Sequence, residues 1–113
     1  MFMYMLVNGS RSFLGLTSDW IPRFIDHNRN AQWFPLLMFR GDKRLLREWQ
    51  KVSTVEKRFR TGLRIARREG STPIYVSNEL RGLHLLHEIQ STEHNNKYHL
   101  DNTFWRHILK AKS

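Results

Sequence analysis

The sequence predicts an α/β fold of the α+β kind, a small and mainly antiparallel sheet of about three strands flanked by helices. Three observations predict it. Short apolar-rich runs at 2–7, 12–16 and 33–39 are too brief for helices. The first two are separated by Asn8-Gly9, a dipeptide that supplies the positive φ of a hairpin turn at little cost. Beyond Asp42 the apolar residues recur at three- and four-residue steps, so the period changes from that of a strand to that of a helix.

In chain order, residues 2–7 and 12–16 pair as an antiparallel hairpin. Thr17 or Ser18 caps a helix that runs to about Asn28; Asp19 sits in its first turn, where the helix dipole favours an acid, and Pro22 is still early enough to be tolerated. The third run, W-F-P-L-L-M-F, carries Pro35 near its start, which places that start at a sheet edge or a bulge. From 42 to 68 the stripe Leu45, Trp49, Val52, Val55, Phe59, Leu63 and Ala66 marks an amphipathic helix, with Ser53-Thr54 and Gly62 as breaks that would divide it in two. Residues 70–73 read as a loop and Ile74, Tyr75 and Val76 as a short extended segment. A further helical face of Leu80, Leu83, Leu86 and Ile89 follows, and Phe104, Trp105, Ile108 and Leu109 suggest a closing helix.

The 113 residues suffice for a single domain with a modest core. Absence of cysteine excludes disulfides and thiolate metal sites, and permits a reducing compartment such as the cytoplasm. The apolar run at 1–7 lacks a basic flank and is too short for a signal peptide or a membrane span, so no membrane association is expected. Nineteen Lys and Arg against ten Asp and Glu give a formal net charge of +9, which favours a polyanionic partner, with nucleic acid ahead of an acidic protein.

The segment Y-M-L-V-N-G-S-R-S-F-L-G-L-T-S-D-W-I-P-R-F-I-D-H resembles the GIY-YIG nuclease family. Phe2-Met3-Tyr4 stands where that family has G-I-Y, Phe13-Leu14-Gly15 where it has Y-I-G, and Thr17, Asp19, Arg23 and His27 fall on T-x-D-x-x-x-R-x-x-x-H without a gap. The resemblance covers about residues 2–78 and leaves 79–113 as a helical extension that would complete the core, bind DNA, or contact a protein partner or a second copy of the chain.

The resemblance implies a metal-dependent endonuclease that hydrolyses DNA phosphodiester bonds. Arg23 would stabilise charge on the phosphate, and Tyr4 and His27 would position or deprotonate the attacking water. Glu48, on the helix after the third strand, would hold Mg²⁺ or Mn²⁺, and Asn78 would support the site. Arg23 and His27, four apart, share a helix face. Glu56 is a rival ligand, although a capping box over Ser53, Thr54, Val55 and Glu56 would explain its position without metal. Phe13 replaces the first tyrosine of Y-I-G and has no proton to exchange, so the alternative is a nuclease fold that binds nucleic acid or regulates a nucleoprotein machine with cleavage weakened. A phosphate-tracking surface is expected from Arg11, Lys43, Arg44, Lys51, Arg58 and Arg68, on the arc opposite the apolar stripe and in the hairpin. His84, His87, His94 and His99 match no standard zinc spacing.

Overall fold

The computed structural model describes residues 1–18, 34–73 and 78–91. Their order is β1 (Phe2–Asn8), β2 (Arg11–Thr17), β3 (Phe34–Arg40), α1 (Lys43–Gln50), α2 (Val55–Arg68) and α3 (Glu79–Ser91), an α+β arrangement as the sequence predicts. The helix expected after Thr17, the extended segment at 74–76 and the closing helix at 104–109 lie outside the described residues.

The strands form one sheet in the order β2-β1-β3 with both pairings antiparallel. The hairpin turn holds two residues, Gly9 and Ser10, between the paired Asn8 and Arg11; Gly9 takes φ +59°, as a tight hairpin turn demands of its first central residue. Pro35 sits where it was expected to sit. Met5 faces Leu37 while Leu6 faces Pro35, so Leu36 is an extra residue in β3, a bulge at the one place where a strand residue lacks an N–H.

Met3, Tyr4, Met5, Leu6 and Val7 are all buried, which means that both faces of the central strand are covered. Residues paired across the ladder share a face, so Met5, Leu14 and Leu37 lie on one side and Tyr4, Gly15 and Met38 on the other. The helices pack on the Leu37 side. Phe39 meets Trp49 of α1 with ring centroids 5.2 Å apart, and a Cβ at Gly62 of α2 would come within 2.6 Å of both Leu37 and Trp49. The bare glycine lets α2 lie close to the sheet. On the other side the Tyr4 ring lies across Gly15, filling the space a side chain would need there.

The long apolar stripe belongs to two helices. Asp42 caps α1, its Oδ1 accepting from the Leu45 N–H at 2.9 Å, and α1 ends at Gln50. Thr54 caps α2 through a 3.4 Å hydrogen bond from the Lys57 N–H. With Thr54 as the cap, Glu56 is the second residue of the helix rather than the third, so the capping box expected over residues 53–56 is replaced by an exposed pair between Glu56 and Arg60 at 3.1 Å. Gly62, expected as a break, is inside α2. The helix stops at a Schellman turn: Gly70 at φ +72° donates to the Arg67 carbonyl, and Ser71 donates to that of Ala66.

In α3 the buried face is shifted from the one expected. Leu86 is buried and Gly82 sits against the Phe59 ring, where a Cβ would collide with it, while Leu80 is 79 % exposed. No helix among the described residues is long and apolar enough to cross a membrane.

Candidate functional site

Glu48 lies on the first helix after β3. The Asp42 cap and the inward-facing Leu45 and Trp49 fix the rotation of α1 and leave Glu48 at the border of the buried stripe, partly exposed. Arg68, the last residue of α2, reaches it with a two-pronged interaction: Nη1 donates to Oε2 at 2.7 Å and Nη2 to Oε1 at 2.9 Å. The same guanidinium donates from Nε to Glu69 at 3.1 Å, and Glu69 pairs with Arg44 at 3.7 Å. Four charged side chains therefore form one chain across the ends of α1 and α2.

The hydrogen bonds from Arg68 hold the Glu48 carboxyl below the usual carboxylate range, and the positive charges of Arg68, Arg44 and Lys51 act in the same direction. The same hydrogen bonds, with that to Glu69, raise the Arg68 guanidinium above its ordinary value. Both groups are thus ionised at neutral pH.

Two open grooves border this pair. One, of about 760 Å³, is lined by Lys43, Arg44, Arg47, Glu48 and Lys51 of α1 and its C-cap. The other, of about 550 Å³, is lined by Arg60, Arg64, Arg67 and Arg68 of α2 with Glu79 at the start of α3. Lys43, Arg44 and Lys51 were expected to face a polyanion, and they gather in the first groove together with Arg47. The second groove was not expected. Its signal was present in the sequence, since Arg60, Arg64 and Arg67 are spaced four and three apart and so share a helix face.

The remaining expected residues are placed differently. Arg58 is tied into the fold: Nε donates to the Val52 carbonyl at 2.6 Å, and Nη1 donates to the Ser12 carbonyl at 3.3 Å and to its Oγ at 2.9 Å. Its own carbonyl accepts from the Trp49 indole at 2.7 Å. Arg58 thus binds the α1–α2 connection to β2. Arg11 is exposed at the start of β2. Tyr4 is almost wholly buried, stacked on Phe13 with centroids 6.1 Å apart and planes at 27°, while Phe13 is 38 % exposed. Asn78 caps α3, its Oδ1 accepting from the Arg81 N–H at 2.9 Å. Arg23 and His27 lie outside the described residues. Among the described residues no three His, Asp or Glu side chains come together as a metal cluster; His84 and His87 are exposed on α3, and His94 and His99 lie outside the described residues.

For a divalent ion, the described residues offer the Glu48 carboxylate, with Glu69 on the same guanidinium and no group of three ligating side chains. Magnesium keeps much of its water shell and is commonly held by one or two carboxylates plus phosphate oxygens, so the donor chemistry of Glu48 suits it. Both oxygens are occupied by Arg68, so the fit holds only when that guanidinium turns to another anion.

The site is thus an exposed carboxylate–guanidinium pair between two arginine- and lysine-lined grooves, on a small α+β scaffold. No protein-family model, curated protein or solved structure matches the chain.

Proposed function

We propose that this chain is a metal-dependent DNA endonuclease of the GIY-YIG type. The observation that carries the reading is the position of Glu48: it follows an antiparallel hairpin and a third strand, on the next helix, exposed and bordered by cations that a phosphate backbone would meet. A phosphate can both occupy the α1 groove and compete with Glu48 for the Arg68 fork, because its oxygens accept the same paired N–H groups.

In this reading Arg23 stabilises charge on the phosphate and Glu48 holds Mg²⁺ or Mn²⁺. When bound, that ion supplies polarisation of the phosphate and stabilisation of the leaving oxygen. Proton removal from water falls to His27, because the buried Tyr4 acts through its packing on Phe13 and Gly15. Asn78 contributes by fixing the start of α3. Lys43, Arg44 and Lys51 hold the DNA backbone. A cytoplasmic placement, and a protein partner or second copy docking through residues 79–113, belong to the same proposal.

A second reading, a nucleic-acid-binding protein with cleavage lost, is favoured by two observations: Phe13 has no hydroxyl where the family has tyrosine, and both Glu48 oxygens are taken up by Arg68. A nicking assay on linear, supercoiled and branched DNA with Mg²⁺ or Mn²⁺ separates them. Cutting that disappears in Arg23→Ala supports the first; no cutting on any form, with activity appearing in Phe13→Tyr, supports the second.

A further inference from the structure

The α2 groove is built differently from the α1 groove. Among the described residues, every basic residue that lines it is an arginine, and Arg64 and Arg67 make no ion pair or hydrogen bond through their side chains. Among the described residues Arg60 is held only by the exposed Glu56, a solvent-screened contact that an incoming anion exchanges readily. Arg60 and Arg67 stand seven positions apart on the helix with Arg64 between them, about 10 Å along its axis, which matches the axial length occupied by about three phosphates of one strand of a duplex.

The lining also says which partner fits. Its described residues include no apolar side chain, whereas protein partners are anchored mainly by buried aromatic and aliphatic groups. Nor do the described residues of the lining include an aromatic ring on which a single-stranded base would stack. Forked guanidinium donors without an apolar or stacking platform suit oxygens held in a regular row, as on the backbone of paired strands.

We propose that Arg60, Arg64 and Arg67 form a second backbone-tracking strip for duplex nucleic acid, separated from the α1 strip by the Glu48–Arg68 pair. The strip rests on the nucleic-acid-binding half of the reading above and is independent of cleavage. It reads no bases, so it adds affinity and orientation rather than sequence preference. Glu79, the one acidic side chain among the described residues that line the groove, repels the ligand.

The test is fluorescence anisotropy with a short labelled DNA duplex and no divalent metal, titrated over salt. Arg64→Gln/Arg67→Gln keeps good helix formers at both places, and circular dichroism checks that the fold is retained. This double variant is expected to lower the slope of log affinity against log salt by about 2 and to weaken binding by about tenfold or more at low salt. Lys43→Gln/Arg47→Gln gives a separate, additive loss, and Glu79→Gln tightens binding several-fold. A duplex affinity and salt slope unchanged by Arg64→Gln/Arg67→Gln, alongside a loss in Lys43→Gln/Arg47→Gln, overturns the second strip and leaves the first reading standing. Tighter binding of a single strand of equal length overturns the assignment to duplex. No binding of any nucleic acid by the unaltered protein removes both readings together.

Discussion

Glu48 and Arg68, twenty residues apart in the chain, meet through both carboxylate oxygens and both terminal guanidinium nitrogens. The contact joins the last turn of α1 to the last turn of α2, and it sets the electrostatic state of the carboxylate on which the proposed chemistry depends. Arg68 both neutralises Glu48 and keeps it ionised.

This has a direct pH consequence. The folded-state carboxyl titrates below its ordinary value because of the Arg68 hydrogen bonds, whereas in the unfolded chain it titrates near that value. Any stability the pair contributes is therefore present above the unfolded value and is lost as pH falls through the lowered folded one. Urea midpoints measured from neutral to acid pH should show a shallower acid decline for Glu48→Gln than for the unaltered protein; superimposable curves would remove the pair from the acid response.

Cleavage should separate the two glutamates. Glu48→Gln is nearly isosteric and should preserve the fold, yet a neutral amide holds Mg²⁺ poorly, so divalent-dependent nicking should vanish. Glu56→Gln should leave nicking nearly intact, since it loses only an exposed i,i+4 pair with Arg60 of the kind that contributes about 0.5 kcal/mol or less. The opposite outcome would transfer the metal to Glu56.

Arg58 should behave as a structural residue. Replacing it with Ala removes hydrogen bonds to the Val52 carbonyl and to Ser12, leaving part-buried acceptors without their donor, at a cost of about 1–3 kcal/mol. A thermal melt should show that loss, while DNA affinity per folded molecule stays close to normal. An unchanged melting temperature with a large loss of DNA affinity would return Arg58 to the binding surface.

Gly62→Ala tests the close approach of α2 to the sheet. Alanine favours the helix by about 1 kcal/mol, but its methyl must displace Leu37 and Trp49, each 2.6 Å from the new Cβ, and overpacking of this kind costs about 1–3 kcal/mol. Net destabilisation is expected in chemical denaturation. A stabilised variant would mean that the core opens there without penalty.

Much of the scaffold was legible because it is encoded locally. Asn8-Gly9 announces the hairpin, Pro35 announces the bulge, and the spacing of Leu45, Trp49, Phe59 and Leu63 announces the helices with their inward faces. Glu48 was placed correctly on the helix after the third strand for the same reason. What was not legible depends on groups distant in sequence. Nothing local says that Glu48 meets Arg68 rather than solvent, or that Arg58 reaches back to Ser12 across 46 residues. In α3 the pattern of leucines pointed to Leu80, whereas packing selected Gly82, because Phe59 fills the room a missing side chain leaves. A glycine scores as nothing in a hydrophobic pattern and can still be the point of contact.

The Tyr4–Gly15 pairing has one more consequence. Five consecutive buried residues give β1 no alternation between wet and dry faces, and such a strand can slide along its neighbours without exposing anything apolar. Sliding β2 by two residues would bring Phe13 or Thr17, each with a side chain, to the place where only a bare backbone fits beneath the Tyr4 ring. Gly15 therefore acts as a keyway and Tyr4 as its key: with the two-residue turn, the absence of one side chain holds β2 in step with β1.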